Sequence, residues 1–469
     1  MIASLASIKA AAIAVPVLLA GRGIAAESTY KLDSHDAIIE SAKTLAFDLM
    51  SLYNGNETGE IPGVLGYPPP SGPYYWWEGG ALMSTMIDYW HLTGDDTYND
   101  VVTQGIQHQV GPNNDFMTPN WTAAASNDDQ CMWGLAALLA AEKGFPDPPK
   151  DQPQWLELAK AVWDDLASPD RHDDKCGGGL RWQIPLFNVG YDYKNSLPNA
   201  CFFNLGARLA KLTGDKKYAD ASSETWDWLT GVGLLDTKTW AVYDGGHVDE
   251  NCTDINKAQF SIVNAYLVQG AAYMYNFTKE SDEWKQRITN LNDATLKTFF
   301  PNDIAFEAAC EKSDHCTTDM LAFKGLAHRW LADTTQVASF TAEKLTPVLR
   351  KSTEAAVKQC TGGDSGRECG FFWSEGEFKE TEAEGTVGQQ MNVLAAVEGL
   401  LIADGVVGGG NGDGETDDGG SSGSSNEGGS TPTGTTTAPS GSPTSGAGRI
   451  GMEAVVVAVG LGAVGLLAL

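Results

Sequence analysis

Apolar runs at helical spacing, separated by short polar turns, fill the chain from about His35 to Ala403. The turn "LTGDDTY" (Leu92 to Tyr98) recurs as "LTGDKKY" (Leu212 to Tyr218). Each copy follows one apolar helical run and precedes another, so each marks the turn of a helical hairpin. Looser echoes end at Trp155, Trp284 and Phe340; with Tyr98 and Tyr218, these aromatics open second helices about 60 residues apart. A front helix near His35 to Tyr53 and the closing run "VGQQMNVLAAVEGLLIA" bring the expected count to about twelve. Strand signals are confined to connections such as "GGGLRWQI". The pattern predicts an all-α fold over residues 27–407, an (α/α)6 barrel of six hairpins in a ring; a two-domain helical protein or an open solenoid is the competing arrangement. Inner helices of such a ring pack on both sides, and "WGLAALLAAE" (Trp133 to Glu142) has that character.

The stretch "SNDDQCMWG" (Ser126 to Gly134) puts two carboxylates at the start of such a helix. In helical steps Asp128 leads to Met132, Leu135 and Leu139, and Asp129 to Trp133, Ala136 and Ala140. Both acids extend stripes that face inward, an arrangement that is costly unless the charge is paired or neutralised. Glycoside cleavage uses such a pair: one carboxyl protonates the leaving oxygen and the other acts at the anomeric carbon, about 5–5.5 Å away in retaining enzymes. Neighbouring side chains that diverge by about 100° from Cα atoms ~3.8 Å apart are competent for that separation. Proximity raises one pKa of the pair and leaves the other low, without saying which. The bland alternative is helix capping by Ser126 or Asn127 with solvated first-turn acids.

The ends of the chain speak to location. Met1 to about Ala26 carries one Lys and an apolar run too short to span a bilayer, the form of a secretory signal. Residues 408–447 are rich in Gly, Ser and Thr and nearly devoid of apolar side chains, so a disordered stalk is expected. Residues 448–469 end in an uncharged apolar segment below Ser440, Gly441 and Ser442, the layout of a GPI-attachment signal; a plain tail anchor is the alternative. Sequons at Asn56, Asn120, Asn251 and Asn276 and eight cysteines agree with secretion. Spacing favours bridges Cys310–Cys316 and Cys360–Cys369. The other four cysteines stay unassigned, and with no CxxC pair a zinc site is not expected. A net charge of −30 argues against nucleic acid as a partner and is compatible with a neutral sugar polymer. A monomer attached to the outer leaflet and wall is the expectation.

Further candidates cluster at helix starts. "PYYWWEGGALM" offers Trp76 and Trp77 as sugar-stacking faces. Beside the acid pair stand Asn127 and Gln130; Arg181 and Trp182 follow three glycines; Lys194 and Asn195 precede another inner helix. Asp244 sits in "VYDGG", Asp319 in "CTTDM" and Gln389 in "VGQQMN". Each alone reads as readily as a cap, turn or core residue. Together they would ring one funnel.

These segments, with "YYWWEGGALMSTMIDYWHLTGD", "YKNSLPNACFFNLGARLAKLTGD", "VYDGGHVDENC" and "CGFFW", resemble glycoside hydrolase family 76, specifically its fungal GPI-anchored branch of mannan endo-1,6-α-mannosidases. The resemblance runs from about Tyr30 to Asp404 with the motifs in order. It implies an (α/α)6 barrel, retaining endo-cleavage of α-1,6-mannan, Asp128 as nucleophile and Asp129 as acid/base, and no metal or organic cofactor. It further implies action on the mannose core of GPI glycans at the plasma membrane, with β-glucan as an acceptor in transglycosylation. Two positions depart from the family pattern. "SIVNAYLVQG" keeps Asn264 but has Val263 and Ala265–Tyr266 where an aromatic and a glycine are common, and Cys131 replaces a small apolar residue. The alternative in another functional class is a glycan-binding wall protein that has lost turnover.

Overall fold

The computed structural model describes residues 29–381 and 385–404, all within one compact unit. The signal, stalk and GPI-attachment expectations fall outside the described residues. Outer helices are α1 (His35–Met50), α3 (Asn99–His108), α5 (Trp155–Leu166), α7 (Lys216–Val232), α9 (Asp282–Phe299) and α11 (Ala342–Val357). Inner helices are α2 (Trp76–Thr93), α4 (Asn127–Lys143), α6 (Ser196–Thr213), α8 (Ser261–Phe277), α10 (Phe323–Val337) and α12 (Val387–Ala403). Each inner helix touches the next, and α12 returns to α2, which closes the ring; the outer helices pack against it. This is the (α/α)6 barrel.

The two sets differ as their burial demands. Outer α5 buries Trp155, Leu158, Ala159, Val162, Trp163 and Leu166, a single stripe at helical spacing. Inner α12 buries every residue from Val387 to Ile402, most of them apolar or small, together with Gln389, Gln390, Asn392 and Glu398. The repeated turn has a local cause: Gly94 and Gly214 end α2 and α6 in the left-handed region (φ 70° and 73°), where a side chain would be strained. Their N–H groups reach the carbonyls of Trp90 and Ala210.

Little strand is present. At the mouth, β1 (Tyr193–Asn195) pairs antiparallel with β2 (Gly245–His247), Lys194 facing Gly246. The "GGGLRWQI" stretch adds single bridges, Arg181 to Lys194 and Gln183 to Ser126. A second pair, β3 (Cys360–Gly362) and β4 (Glu368–Cys369), lies before α12. All eight cysteines are bridged: Cys310–Cys316 and Cys360–Cys369 as expected from spacing, and Cys131–Cys201 and Cys176–Cys252 in addition. The departure at Cys131 thus has a structural reason, since it staples α4 to α6. Asn56, Asn120 and Asn251 are exposed, whereas Asn276 is half-buried on the last turn of α8. Among the described residues no helix is long and apolar enough to cross a membrane.

Candidate active site

The inner helices present their N-termini to one end of the barrel, and five of the six contribute to a cavity of about 420 Å³ there. Trp77 comes from the first turn of α2, Asp128 and Asp129 from α4, Asn195 and Leu197 from the start of α6. Phe260, Ile262 and Val263 come from the start of α8, and Asp319, Met320 and Phe323 lead into α10. Local chemistry sets the acid pair. Ser126 caps α4: its hydroxyl accepts from Asp129 N at 3.2 Å, and Asp129 Oδ2 accepts from Ser126 N at 3.2 Å. Asp128 stands outside that reciprocal pair but also takes a hydrogen bond from the Ser126 side chain, and its Oδ1 is enclosed with no hydrogen-bond partner. Opposite, Asp319 Oδ1 accepts from Trp77 Nε1 at 2.8 Å. Asp244 Oδ2 accepts from the Tyr193 hydroxyl at 2.9 Å and from Asn256 Nδ2 at 3.0 Å. Asn195 is buried at the wall, and its Oδ1 too lacks a partner.

Of the candidates read from sequence, Asp128, Asp129, Trp77, Trp182, Asn195, Asp244 and Asp319 meet at this cavity. Six do not line it. Trp76 turns into the core against Trp121 and Trp133, its Nε1 on Gln109 Oε1 at 2.9 Å. Asn127 donates to Arg181 O and accepts from Arg171, tying α4 to the loop behind it. Gln130 is buried, its amide on Asp115 O and Asp165 Oδ2. Arg181 pairs with Asp173 at 2.6 Å and stacks on Tyr191. Lys194 has no exposed surface; its ammonium is shared by Asp173 and the carbonyls of Lys175, Gly178 and Gly179. Gln389 donates to Gly385 O and Thr381. The cavity also uses residues that the sequence did not single out for it: Tyr75, Gln183, Tyr193, Tyr266 and Met320 among them. Around Asn264 the departures divide. Asn264 itself faces the outer shell, donating to Thr295 Oγ1 at 3.0 Å, while Val263 and Tyr266 form cavity wall, Tyr266 stacked on Trp330.

The family model for glycosyl hydrolase family 76 matches residues 37–408. The chain belongs to glycosyl hydrolase family 76. It is 40% identical over 365 residues to mannan endo-1,6-alpha-mannosidase DCW1 of Saccharomyces cerevisiae, covering 77% of this chain and 79% of that protein. The crystal structure of Dfg5 from Chaetomium thermophilum in complex with glucosamine superimposes with a TM-score of 0.78 at 56% identity, over 80% of this chain and 92% of that one. The family 76 mannosidase Bt3792 of Bacteroides thetaiotaomicron shares the fold at 17% identity, TM-score 0.60, over 79% and 99% of the two chains.

Within this family 76 barrel the electrostatics of the mouth are one-sided. Among the described residues no Lys, Arg or His lines the cavity. Burial raises the Asp128 carboxyl above its ordinary range, and the negative charges of Asp319 and Asp244 push the same way against the Ser126 hydrogen bond. Asp129 is raised well above its ordinary range, by burial first and by the Asp128 charge second. Burial lifts Asp319 to about 6. Glu78, buried in the first turn of α2 with Oε2 on Tyr75 N at 2.7 Å, is likewise raised, by burial and then by Asp319. The partial positive charge at the helix N-termini is what the fold supplies against this crowd of carboxyls. No group of three or more His, Cys, Asp or Glu among the described residues is arranged to hold a metal ion.

Proposed function

We propose that the protein is a retaining, endo-acting α-1,6-mannosidase whose glycosyl-enzyme can be resolved by water or by a sugar hydroxyl. The observation that carries this is the adjacent pair Asp128 and Asp129, held at the N-terminus of α4 on a cation-free cavity walled by Trp77, Trp182, Tyr75 and Tyr266. An ionised Asp128 attacks the anomeric carbon as the glycosidic C–O bond breaks, and Asp129 gives its proton to the leaving oxygen. Asp129, now ionised, then takes the proton of water or of an acceptor hydroxyl as that oxygen displaces Asp128. Burial and mutual repulsion raise the pair together, so that one carboxyl keeps its proton while the other ionises, which supports one acid and one nucleophile at this site. Relatives named mannan endo-1,6-alpha-mannosidase support the substrate class. The natural donor on this reading is the mannose core of GPI glycans, the acceptor a wall β-glucan, and the enzyme a GPI-anchored glycoprotein at the outer leaflet and wall.

The test incubates the protein with α-1,6-mannooligosaccharides, alone and with a β-glucan oligosaccharide. Wild type should yield shortened mannosides with retained anomeric configuration, and mannosyl-glucan products when the acceptor is present; Asp128→Asn and Asp129→Asn should yield neither. A wild type that binds the oligosaccharide and releases nothing under either condition would make the protein a glycan-binding module.

A further inference from the structure

The apolar side chains that the barrel leaves in solvent are unevenly placed. Leu186, Phe187 and Val189 are 76%, 79% and 87% exposed, and all three stand on the loop between Gln183, a cavity residue, and β1. Tyr67 and Tyr75 are exposed on the connection into α2, at the same end of the barrel. No residue from Gln183 to Tyr191 is charged.

The loop is built rather than loose. Asn188 donates its N–H to Pro185 O and its side-chain amide to Gln183 Oε1. Tyr191 N reaches Asn188 O, Tyr193 N reaches Gly190 O, and Arg181 holds Tyr191 O at 2.8 Å. These bonds brace the loop while the side chains of Leu186, Phe187 and Val189 stand in solvent. Gly190 (φ 92°) lies against Trp182, where a Cβ would come within 2.4 Å of the indole. The same indole is cavity wall. Whatever the tip touches is therefore set beside the cleft.

We propose that Leu186, Phe187 and Val189, flanked by Tyr67 and Tyr75, dock the mouth of the barrel on a zwitterionic lipid surface. This deepens the membrane-anchored reading above and rests on it. Leucine and valine offer a sugar neither a hydrogen bond nor a flat face, so the tip suits hydrocarbon better than glycan; tyrosine is at home at the headgroup level. The net charge of −30 argues against attraction to an anionic bilayer. Geometry permits the orientation. Helix α12 runs from the mouth to Asp404 at the far end, and residues 405–447 can span at most roughly 150 Å, against about 27 Å for an inner helix. An anchor beyond residue 447 leaves the mouth free to face the bilayer, where a lipid-linked glycan would sit.

The experiment uses the barrel without residues 405–469, since all the described residues fall within one compact unit. It is floated with phosphatidylcholine vesicles beside the triple variant Leu186→Ser, Phe187→Ser, Val189→Ser. Wild type should co-float, and the variant's bound fraction should fall about tenfold or more, with equal turnover of a soluble α-1,6-mannotetraose. Equal flotation of the two proteins, or none by wild type, overturns the proposal. So does a variant that floats normally and loses turnover, since the tip would then be a sugar platform. Flotation needs no catalysis: a barrel that floats and cuts nothing sinks the mannosidase reading and supports this one.

Discussion

The two ends of the barrel handle buried charge in opposite ways. At the far end, acids are met by bases, apart from Glu398, which is buried near Asp88 and Arg329 with no hydrogen-bond partner. Arg208 pairs with Glu142 at 2.5 Å, and Arg329 with Asp88 at 3.0 Å while donating to Ser84 and Thr85. Asp333 accepts from Gln269 and Tyr273, with Lys143 3.9 Å away. These side chains surround a void of only about 10 Å³. At the mouth, Glu78, Asp128, Asp129, Asp244 and Asp319 gather with no cation among the lining residues, on about 420 Å³ of open space. Paired charge here serves closure. Unpaired charge is held in reserve for something that enters, and its raised proton affinities are the physical trace of that.

The contrast breaks most visibly by removing one partner at each end. Asp128→Asn and Asp129→Asn should each lower turnover of α-1,6-mannooligosaccharides by on the order of 10³–10⁴, read as kcat. Their melting temperatures should equal or exceed wild type, because a buried repulsion is relieved. Arg208→Ala should do the reverse. It strands Glu142 and should cost about 3–5 kcal/mol in denaturant unfolding, with turnover per folded molecule preserved. If Asp128→Asn destabilises as Arg208→Ala does, the mouth is as structural as the base and the contrast fails.

The bridge Cys131–Cys201 bears on the same contrast more gently. It joins α4 to α6 two residues beyond Asp129 and closes a separation of 70 residues. Replacing both cysteines by alanine should cost about 2–4 kcal/mol of stability. Because Ser126 rather than the bridge fixes the Asp129 carboxyl, kcat of the folded variant should stay within about tenfold of wild type. A larger fall in kcat with a small loss of stability would make the bridge a positioning device for the acid pair.

What was legible in the sequence followed from periodicity and from helix starts. The LTGD turns, the all-round apolar runs and the NDD stretch each carry a local signal, and the ring follows once six hairpins are counted. Glu78, Asp128 and Asp129 share a cause, since the first turn of an inner helix brings a carboxyl to the funnel, whereas Asp244 stands just before β2 and Asp319 in the turn ahead of α10. Direction at single-residue resolution was not legible. Trp76 and Trp77 differ by one position, yet about 100° of rotation sends one into the core and the other to Asp319. Gln130 is turned away from the cavity for the same reason. Arg181 looked like a ligand contact because it follows three glycines, and Lys194 because it precedes an inner helix. Their fate depended on Asp173, a residue with no motif of its own, which draws both cations behind the wall. Tyr193 and Tyr266 owe their place to strand pairing and helix rotation that no spacing announces.

The finest probe of the contrast is Asp319→Asn. The amide keeps an oxygen to accept from Trp77 and removes only the charge. That charge raises both Asp128 and Asp129, so its loss lowers both proton affinities. On the proposed mechanism turnover needs Asp128 ionised and Asp129 protonated, so the acid limb of the pH profile belongs to the first proton lost by the pair and the alkaline limb to the second. Both limbs should therefore move to lower pH. The variant should be slower than wild type on the alkaline side and faster on the acid side, with the maximum altered by less than about tenfold. A full pH profile of kcat checks this. Limbs that stay in place while the maximum collapses would show that Asp319 acts by touching the sugar, and the mouth would then be tuned by contact and not by its surplus of negative charge.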